Sequence, residues 1–269
     1  MNDPRVAIVT GASRGIGRLL AERLGGEGAH VVINCKSNAD LAEESLAAVR
    51  AAGGDGLVVQ ADVEQPEGIE ALFARVDESY DHVDVFVANA AAAAFKPIMD
   101  MKLHHLDRSY AMNVRSFVLG AQQAVKRMRD GGSILYISSY GSVRAFPTYA
   151  ALGAAKAMGE QYVRFMAAEF GPKNITVNAV NGGLIDTDSL DYFYHRVPGM
   201  APMEGVIEKL PLQRPAKPDD MVDAAQFLLS DRASYITGQV LYVDGGLTVV
   251  APPFWSDTTE PLRGATLDD

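Results

Sequence analysis

Short β-branched runs alternate with longer segments of helical period along nearly the whole chain, and few folds accept that alternation. The strands it predicts are Val6–Thr10, Val31–Asn34, Gly56–Ala61, Val83–Ala88, Ser133–Ser138, Thr176–Val180 and Val240–Val243. Between them the predicted helices are Ile16–Gly25, Ala39–Ala52, Glu67–Ser79, Leu106–Met128, Ala150–Phe170 and Asp219–Leu229. Parallel strands need a long crossover between them, and each helical segment supplies one. The expected class is therefore α/β, with one doubly wound parallel sheet of about seven strands. The glycine of Gly171-Pro172 is expected to end the helix before it. No linker or repeat divides residues 1–250, which read as a single domain. Within it, residues 186–211 are rich in Tyr, Phe, Met and Pro and read as a mobile helical flap over a pocket. The tail 251–269 is either a frayed end or a segment lying on a neighbouring subunit.

Composition narrows the function. Of 269 residues, 48% are hydrophobic and 22% charged, which supports a packed core and excludes a disordered chain. One cysteine, Cys35, permits neither an internal disulfide nor a cysteine-rich metal site and suits a reducing compartment. The pair His104-His105 reads as a surface helix start, so no metal is expected. With 24 basic against 34 acidic residues the net charge is -10, which repels polyanions, so nucleic acid is not an expected partner. The polar start, Met1–Arg5, and the lack of a long apolar span lead to the expectation of a cytoplasmic protein without a membrane partner.

The first predicted strand runs into Thr10-Gly11-Ala12-Ser13-Arg14-Gly15-Ile16-Gly17 and then a helix. Gly11, Gly15 and Gly17 let the backbone turn sharply, while Ser13, Arg14 and Ile16 sit where free helix N–H groups would meet a pyrophosphate. This is the expected seat of a dinucleotide. After the second strand, where an acid would grip a ribose 2′-hydroxyl, the chain has Lys36 and Ser37. Two cations, Arg14 and Lys36, favour a 2′-phosphate and hence NADPH/NADP+. By position, Asp62 and Val63 would cap the adenine pocket.

Thr10–Gly17, Asp62, Asn89, Asn113, Ser139, a Tyr with a following Lys, and Val243-Asp244-Gly245-Gly246 together resemble the short-chain dehydrogenase/reductase family, from about Arg5 to Leu247. The resemblance implies a Rossmann-type fold, a nicotinamide cofactor, and a homotetramer or homodimer built across the two long Ala-rich helices. Most of the family spaces its Tyr and Lys by three residues, yet Leu152 stands four before Lys156. Tyr149 instead precedes Lys156 with six residues between, as in enoyl-acyl-carrier-protein reductases. The run Asn181-Gly182-Gly183-Leu184-Ile185-Asp186-Thr187-Asp188 is most similar to their NADPH-dependent type III branch. A second departure is Ala88-Asn89-Ala90-Ala91, where a glycine commonly ends the motif.

The resemblance assigns Tyr149 and Lys156 catalytic roles, and helical geometry makes them reasonable. Seven residues rise about 10 Å along a helix, against about 6 Å for the shorter spacing. Tyr149 must then sit at the first turn. Ketone reduction needs its acid beside the carbon receiving hydride, whereas conjugate reduction places charge on an oxygen two carbons further along, within reach of a more distant phenol. A lysine charge about 5 Å from the phenol, at an effective dielectric of about 20, would be worth about 3 kcal/mol and lower its pKa by about two units. The resemblance gives Asn113 a supporting role and places Ser139 where it touches substrate or ribose, or merely satisfies a strand end. It adds Asn89, Gly182, Ile185, Thr187 and Lys156 to the cofactor site. Leu190, Tyr192, Phe193 and Met200 would wall an acyl pocket or belong to the core.

The expected activity is NADPH-dependent reduction of an enoyl thioester, carried on acyl-carrier protein or coenzyme A. The alternatives are a ketoreductase acting on a polyketide or other specialised-metabolite carbonyl, and a non-catalytic NADP-binding sensor. An acidic carrier protein would need a basic patch, for which Lys126, Arg127 and Arg129 are the candidates, although a helix end favours cations anyway.

Overall fold

The computed structural model describes residues 3–92, 94–197 and 202–250. The tail 251–269 and Met200 lie outside the described residues. Seven parallel strands form one sheet: β1 (Val6–Val9), β2 (His30–Cys35), β3 (Asp55–Gln60), β4 (Val85–Ala88), β5 (Gly132–Ser139), β6 (Ile175–Gly182) and β7 (Val240–Val243), in the order β3-β2-β1-β4-β5-β6-β7. The central strands are short and apolar because both their faces are covered, so β1 and β4 are buried at every residue.

Successive residues feed two cores. Ile8, Val32, Phe86, Ile134 and Tyr136 face one side of the sheet. There they meet α3 (Pro66–Asp77), α5 (Ser116–Val125) and α6 (Ala150–Phe170). Ala7, Val9, Val31, Ile33, Val85 and Leu135 face the other, against α1 (Gly15–Gly26), α2 (Ala39–Ala52) and α9 (Pro218–Leu229). After β3 the chain crosses back to place β4 beside β1, and this reversal opens a crevice at the carboxyl ends of those strands.

Two expectations need correction. The long helix predicted over Leu106–Met128 is α4 (Leu103–Tyr110), a π-helical turn (Ala111–Arg115) and α5. The turn has a local cause in Asn113, whose side-chain amide donates to the Ser109 carbonyl four residues back, a bond that competes with the helix ladder. Helix α6 ends at Phe170 with Gly171 as its C-cap, as the Gly171-Pro172 pair predicts; Gly171 keeps a helical φ of -50°, and Asn174 turns left-handed at φ 58° after a short 3₁₀ turn (Gly171–Lys173). The predicted strand at Val83 starts two residues later, at Val85.

The flap is helical as expected, with α7 (Asp188–Arg196) and α8 (Met203–Ile207). The chain leaves beside Ile185 and returns to bridge it at Ala216, so the flap is an excursion over the crevice from two neighbouring points. Among the described residues, no helix is long and apolar enough to cross a membrane.

Helix α6 packs tightly because Gly159 leaves room for the buried ring of Tyr136, which a methyl there would strike. Gly159→Ala is expected to destabilise the protein by about 1–3 kcal/mol, read from denaturant unfolding.

Candidate active site

The glycine turn is held from below by hydrogen bonds. Thr10 Oγ1 accepts from the backbone N–H groups of Asn89 at 3.0 Å and Ala90 at 3.1 Å, and Asn89 Nδ2 donates to the carbonyls of Thr10 at 2.9 Å and Gly11 at 3.1 Å. Gly11 has φ +64° and lies against Ala90, so a side chain is excluded for both conformation and space. Asn89 therefore braces the loop, and Thr10 is its partner, quoted in the motif but not singled out by the sequence. Helix α1 begins at Gly15 with Arg14 as N-cap and no side-chain cap bond, and a side chain at Gly15 would enter open space. Free N–H groups at an open helix start fit the pyrophosphate of a dinucleotide.

Around this turn the charges are paired. Lys36 Nζ lies 2.7 Å from Asp62 and 3.4 Å from Glu64, whose carboxylate also faces Arg108 at 3.5 Å. The Asp62 hydrogen bond, together with both negative charges, raises the Lys36 pKa. Arg14 faces Asp188 of α7 at 3.8 Å, joining the glycine turn to the flap. Ser37 is exposed, while Val63 and Cys35 are buried, and burial pushes the Cys35 thiol up.

Along the crevice, α6 carries the predicted pair. Tyr149 is its N-cap, at the first turn as the spacing requires, and Lys156 lies on its buried face. Ser139, the last residue of β5, brings its Oγ to 2.9 Å from Tyr149 Oη. Burial pushes the Tyr149 phenol above its ordinary value, offset in part by Ser139. This overturns the expected depression by lysine. Lys156 Nζ donates to the Ile137 carbonyl at 2.7 Å and stands 4.7 Å from the centre of the Tyr136 ring. Desolvation lowers its pKa to about 8, with Glu160 acting in the opposite direction.

Tyr149 sits in a box of rings, of which the sequence singled out Phe193 but not Phe95 or Phe146. Phe95 stacks on it at 5.7 Å, Phe146 lies at 4.2 Å, and Phe193 meets it edge-on at 5.5 Å. These come from the loop after β4, the segment before α6 and α7, three places with no shared periodicity. Phe193 is buried, whereas Tyr192 is half exposed. Gly141 lets the tyrosine ring lie against the turn after β5, where a methyl would overlap it. Thr148, just before Tyr149, holds a left-handed φ of 62°, a costly conformation for a β-branched residue, and its buried hydroxyl has no hydrogen-bond partner.

Asn113 is buried in the π-helical turn. Its side chain donates to the carbonyls of Ala92 and Ser109, both at 2.9 Å, and its own carbonyl accepts from Tyr136 Oη at 2.9 Å. It thus lies one ring away from Lys156. On the far side of the crevice, Gly182 is buried at the end of β6, and Ile185 and Thr187 follow it into the flap, with Thr187 Oγ1 3.3 Å from the Ile185 carbonyl.

A family profile described as enoyl-(acyl carrier protein) reductase matches residues 11–248. The chain is 60% identical to a 1-cyclohexenylcarbonyl-CoA reductase of Streptomyces collinus over 96% of its own length and 92% of that protein's. Its fold is similar to a short-chain dehydrogenase/reductase of Serratia marcescens, with a TM-score of 0.83 at 32% identity, covering 91% and 98% of the two chains. It is equally similar to the angucycline C-6 ketoreductase LanV with bound NADP, with a TM-score of 0.83 at 30% identity over 91% and 96%. The chain belongs to the short-chain dehydrogenase/reductase family. Within that family it is a nicotinamide-dependent oxidoreductase.

The buried lysine gives a signed stability prediction. Between about 8 and 10.5 the unfolded chain holds a proton that folded Lys156 has released, so its contribution to stability rises with pH across that window. Below it, the folded state bears the full cost of a buried cation. The native protein is expected to gain stability relative to Lys156→Met as the pH rises from about 8 to 10.5, read from matched thermal melts.

Proposed function

We propose that this chain uses NADPH to reduce the carbon–carbon double bond of an α,β-unsaturated acyl-CoA whose acyl group is a compact carbocycle or a chain of similar bulk. The observation that carries the reading is the placement of Tyr149 at the first turn of α6, inside the box of Phe95, Phe146 and Phe193. Aromatic faces suit a flat apolar acyl group and exclude water from the reacting carbons. The 60% identity to an enzyme named for a cyclohexenyl thioester supports the same class of acyl group.

Coenzyme A is favoured over acyl-carrier protein by charge. Arg127 forms a two-pronged bond to Asp77, with both contacts at 2.6 Å, and Arg129 pairs with Asp81 at 2.7 Å. The basic run considered for an acidic carrier is thus largely neutralised within the chain. For the cofactor, Arg14 and Lys36 remain the cations nearest the expected 2′-phosphate, which would compete with Asp62 and Glu64 for Lys36. A homotetramer is the expected assembly, supported by exposed apolar residues on α4 and α6, among them Leu103, Leu106, Met158 and Phe165.

When bound, the nicotinamide supplies hydride to the β carbon. The protein's task is to meet the charge that then appears on the thioester oxygen. Tyr149 is fit for it because burial keeps its phenol protonated through the physiological range. Ser139 can donate into Tyr149 Oη while Tyr149 donates to the substrate, so one hydroxyl sets the direction of the other. Lys156 has spent one N–H on Ile137 and keeps two for ribose hydroxyls. Reduction is complete when a proton reaches the α carbon.

A ketoreductase reading draws on the same Ser139–Tyr149 pair, which would serve an alkoxide equally well. NADPH oxidation with 1-cyclohexenylcarbonyl-CoA, crotonyl-CoA, a crotonyl carrier-protein thioester and a β-ketoacyl-CoA separates the readings. The expected result is turnover of the enoyl-CoA substrates, reduced about 10²–10³-fold in Tyr149→Phe. Turnover confined to the ketone would overturn the reading. Lys36→Ala is expected to lower the preference for NADPH over NADH roughly tenfold or more, measured as the ratio of kcat/KM values.

A further inference from the structure

The face that α6 turns to the sheet is apolar except for two charged residues one helical turn apart, Lys156 and Glu160, each 4% exposed. The proposed mechanism uses the first and leaves the second idle. A buried carboxylate is costly unless its hydrogen bonds are made. Here a single oxygen, Glu160 Oε1, accepts from Ser138 Oγ at 2.5 Å, Ser142 Oγ at 2.7 Å and Asn181 Nδ2 at 2.7 Å, and Asn181 also donates to Ser142 at 2.9 Å. Three donors converging on one oxygen suit an oxygen that carries charge.

The donors come from three different segments. Ser138 precedes Ser139, Ser142 lies in the turn against which Tyr149 packs, and Asn181 precedes Gly182 and the segment leading to Ile185 and Thr187. One carboxylate therefore ties the end of β5, the turn after it and the end of β6 to the helix that bears Tyr149 and Lys156. We propose that Glu160 is a positioning residue of the reductase site, serving as the buried counter-charge of Lys156 and as the tie that fixes the two strand ends flanking the reacting groups.

The surroundings leave few rivals for the electrostatic part. Strand β5 brings Tyr136, β7 brings Tyr242, and α6 itself brings Arg164, whose guanidinium donates to the Glu160 carbonyl at 3.1 Å. Strand β6 and the turn present Asn181 and Ser142, and α4 with the π-helical turn presents Ser109 and Asn113, none of which titrates. Glu160 is the anion acting on Lys156 and opposes the desolvation that pulls its pKa down to about 8. The consequence for turnover rests on the enoyl reductase reading; the coupling of the two charges does not.

The test follows the Lys156 ammonium by ¹³C-lysine NMR, assigned with Lys156→Arg, in native protein, Glu160→Gln and Glu160→Asp, beside the pH profile of kcat/KM on the enoyl-CoA substrate. The native Glu160 carboxyl is read by ¹³C-glutamate NMR, assigned with Glu160→Asp. Expected are an ionised Glu160 at pH 7, a Lys156 midpoint lower by about one pH unit or more in Glu160→Gln, and a midpoint largely restored in Glu160→Asp. The alkaline limb of the profile should move down with the midpoint. An unchanged midpoint in Glu160→Gln, or a protonated Glu160 in the native protein, would overturn the proposal. The native carboxyl reading decides the matter even where Glu160→Gln does not fold. A shifted midpoint without enoyl-CoA turnover would sink the enoyl reading and leave the charge coupling standing.

Discussion

Burial of the Lys156 ammonium is the constraint around which this structure is arranged. A cation beneath the sheet's carboxyl edge needs partners, and the chain supplies a strand carbonyl, an aromatic face and, one turn on, a carboxylate with three donors of its own. Each partner fixes another piece. The Ile137 carbonyl sets the depth of α6 against β5, and Tyr136 reaches on to the Asn113 carbonyl and so seats the π-helical turn. With α6 placed in this way, Tyr149 can only lie at its start, beside Ser139. A low-dielectric setting makes every one of these contacts stronger and the loss of any one more costly.

The crevice has two sides, and few contacts join them. On one side, Thr10 and Asn89 lock the glycine turn to the end of β4, and the start of α1 carries no side-chain cap. On the other, the flap leaves and rejoins at Ile185 and Ala216 and lays Phe193 against Tyr149. The exposed Arg14–Asp188 contact is the described ion pair between the glycine turn and α7. Solvent screens it, so it guides the flap more than it holds it.

Much of this was legible in the sequence where the physical signal repeats. Alternating strand and helix periods place the seven strands, because covering both faces of a parallel sheet forces continuous apolar runs such as Val6–Val9. The open start of α1 was legible because few residues but glycine fit at Gly11. The spacing from Tyr149 to Lys156 placed the tyrosine at a helix start, which is where it lies. Phe95 and Phe146 were not legible, since loop residues that meet only in space leave no period. The sign of the Tyr149 shift was missed because it depends on burial by those same rings. The π-helical turn at Asn113 hid for a similar reason: its cause is a side chain bonding its own backbone. Glu160 did leave a signal, an acid four residues after Lys156 on a face otherwise apolar, and reading it required knowing which face is buried.

The central claim is that the first turn of α6 places its phenol for conjugate rather than direct reduction. Tracing the label settles it most directly: the enzyme is run with an enoyl-CoA and NADPH deuterated at the transferred position, and the product is examined by NMR. The account predicts deuterium at the β carbon and a solvent proton at the α carbon. Deuterium at the former carbonyl carbon of an alcohol product, with the double bond intact, would contradict it.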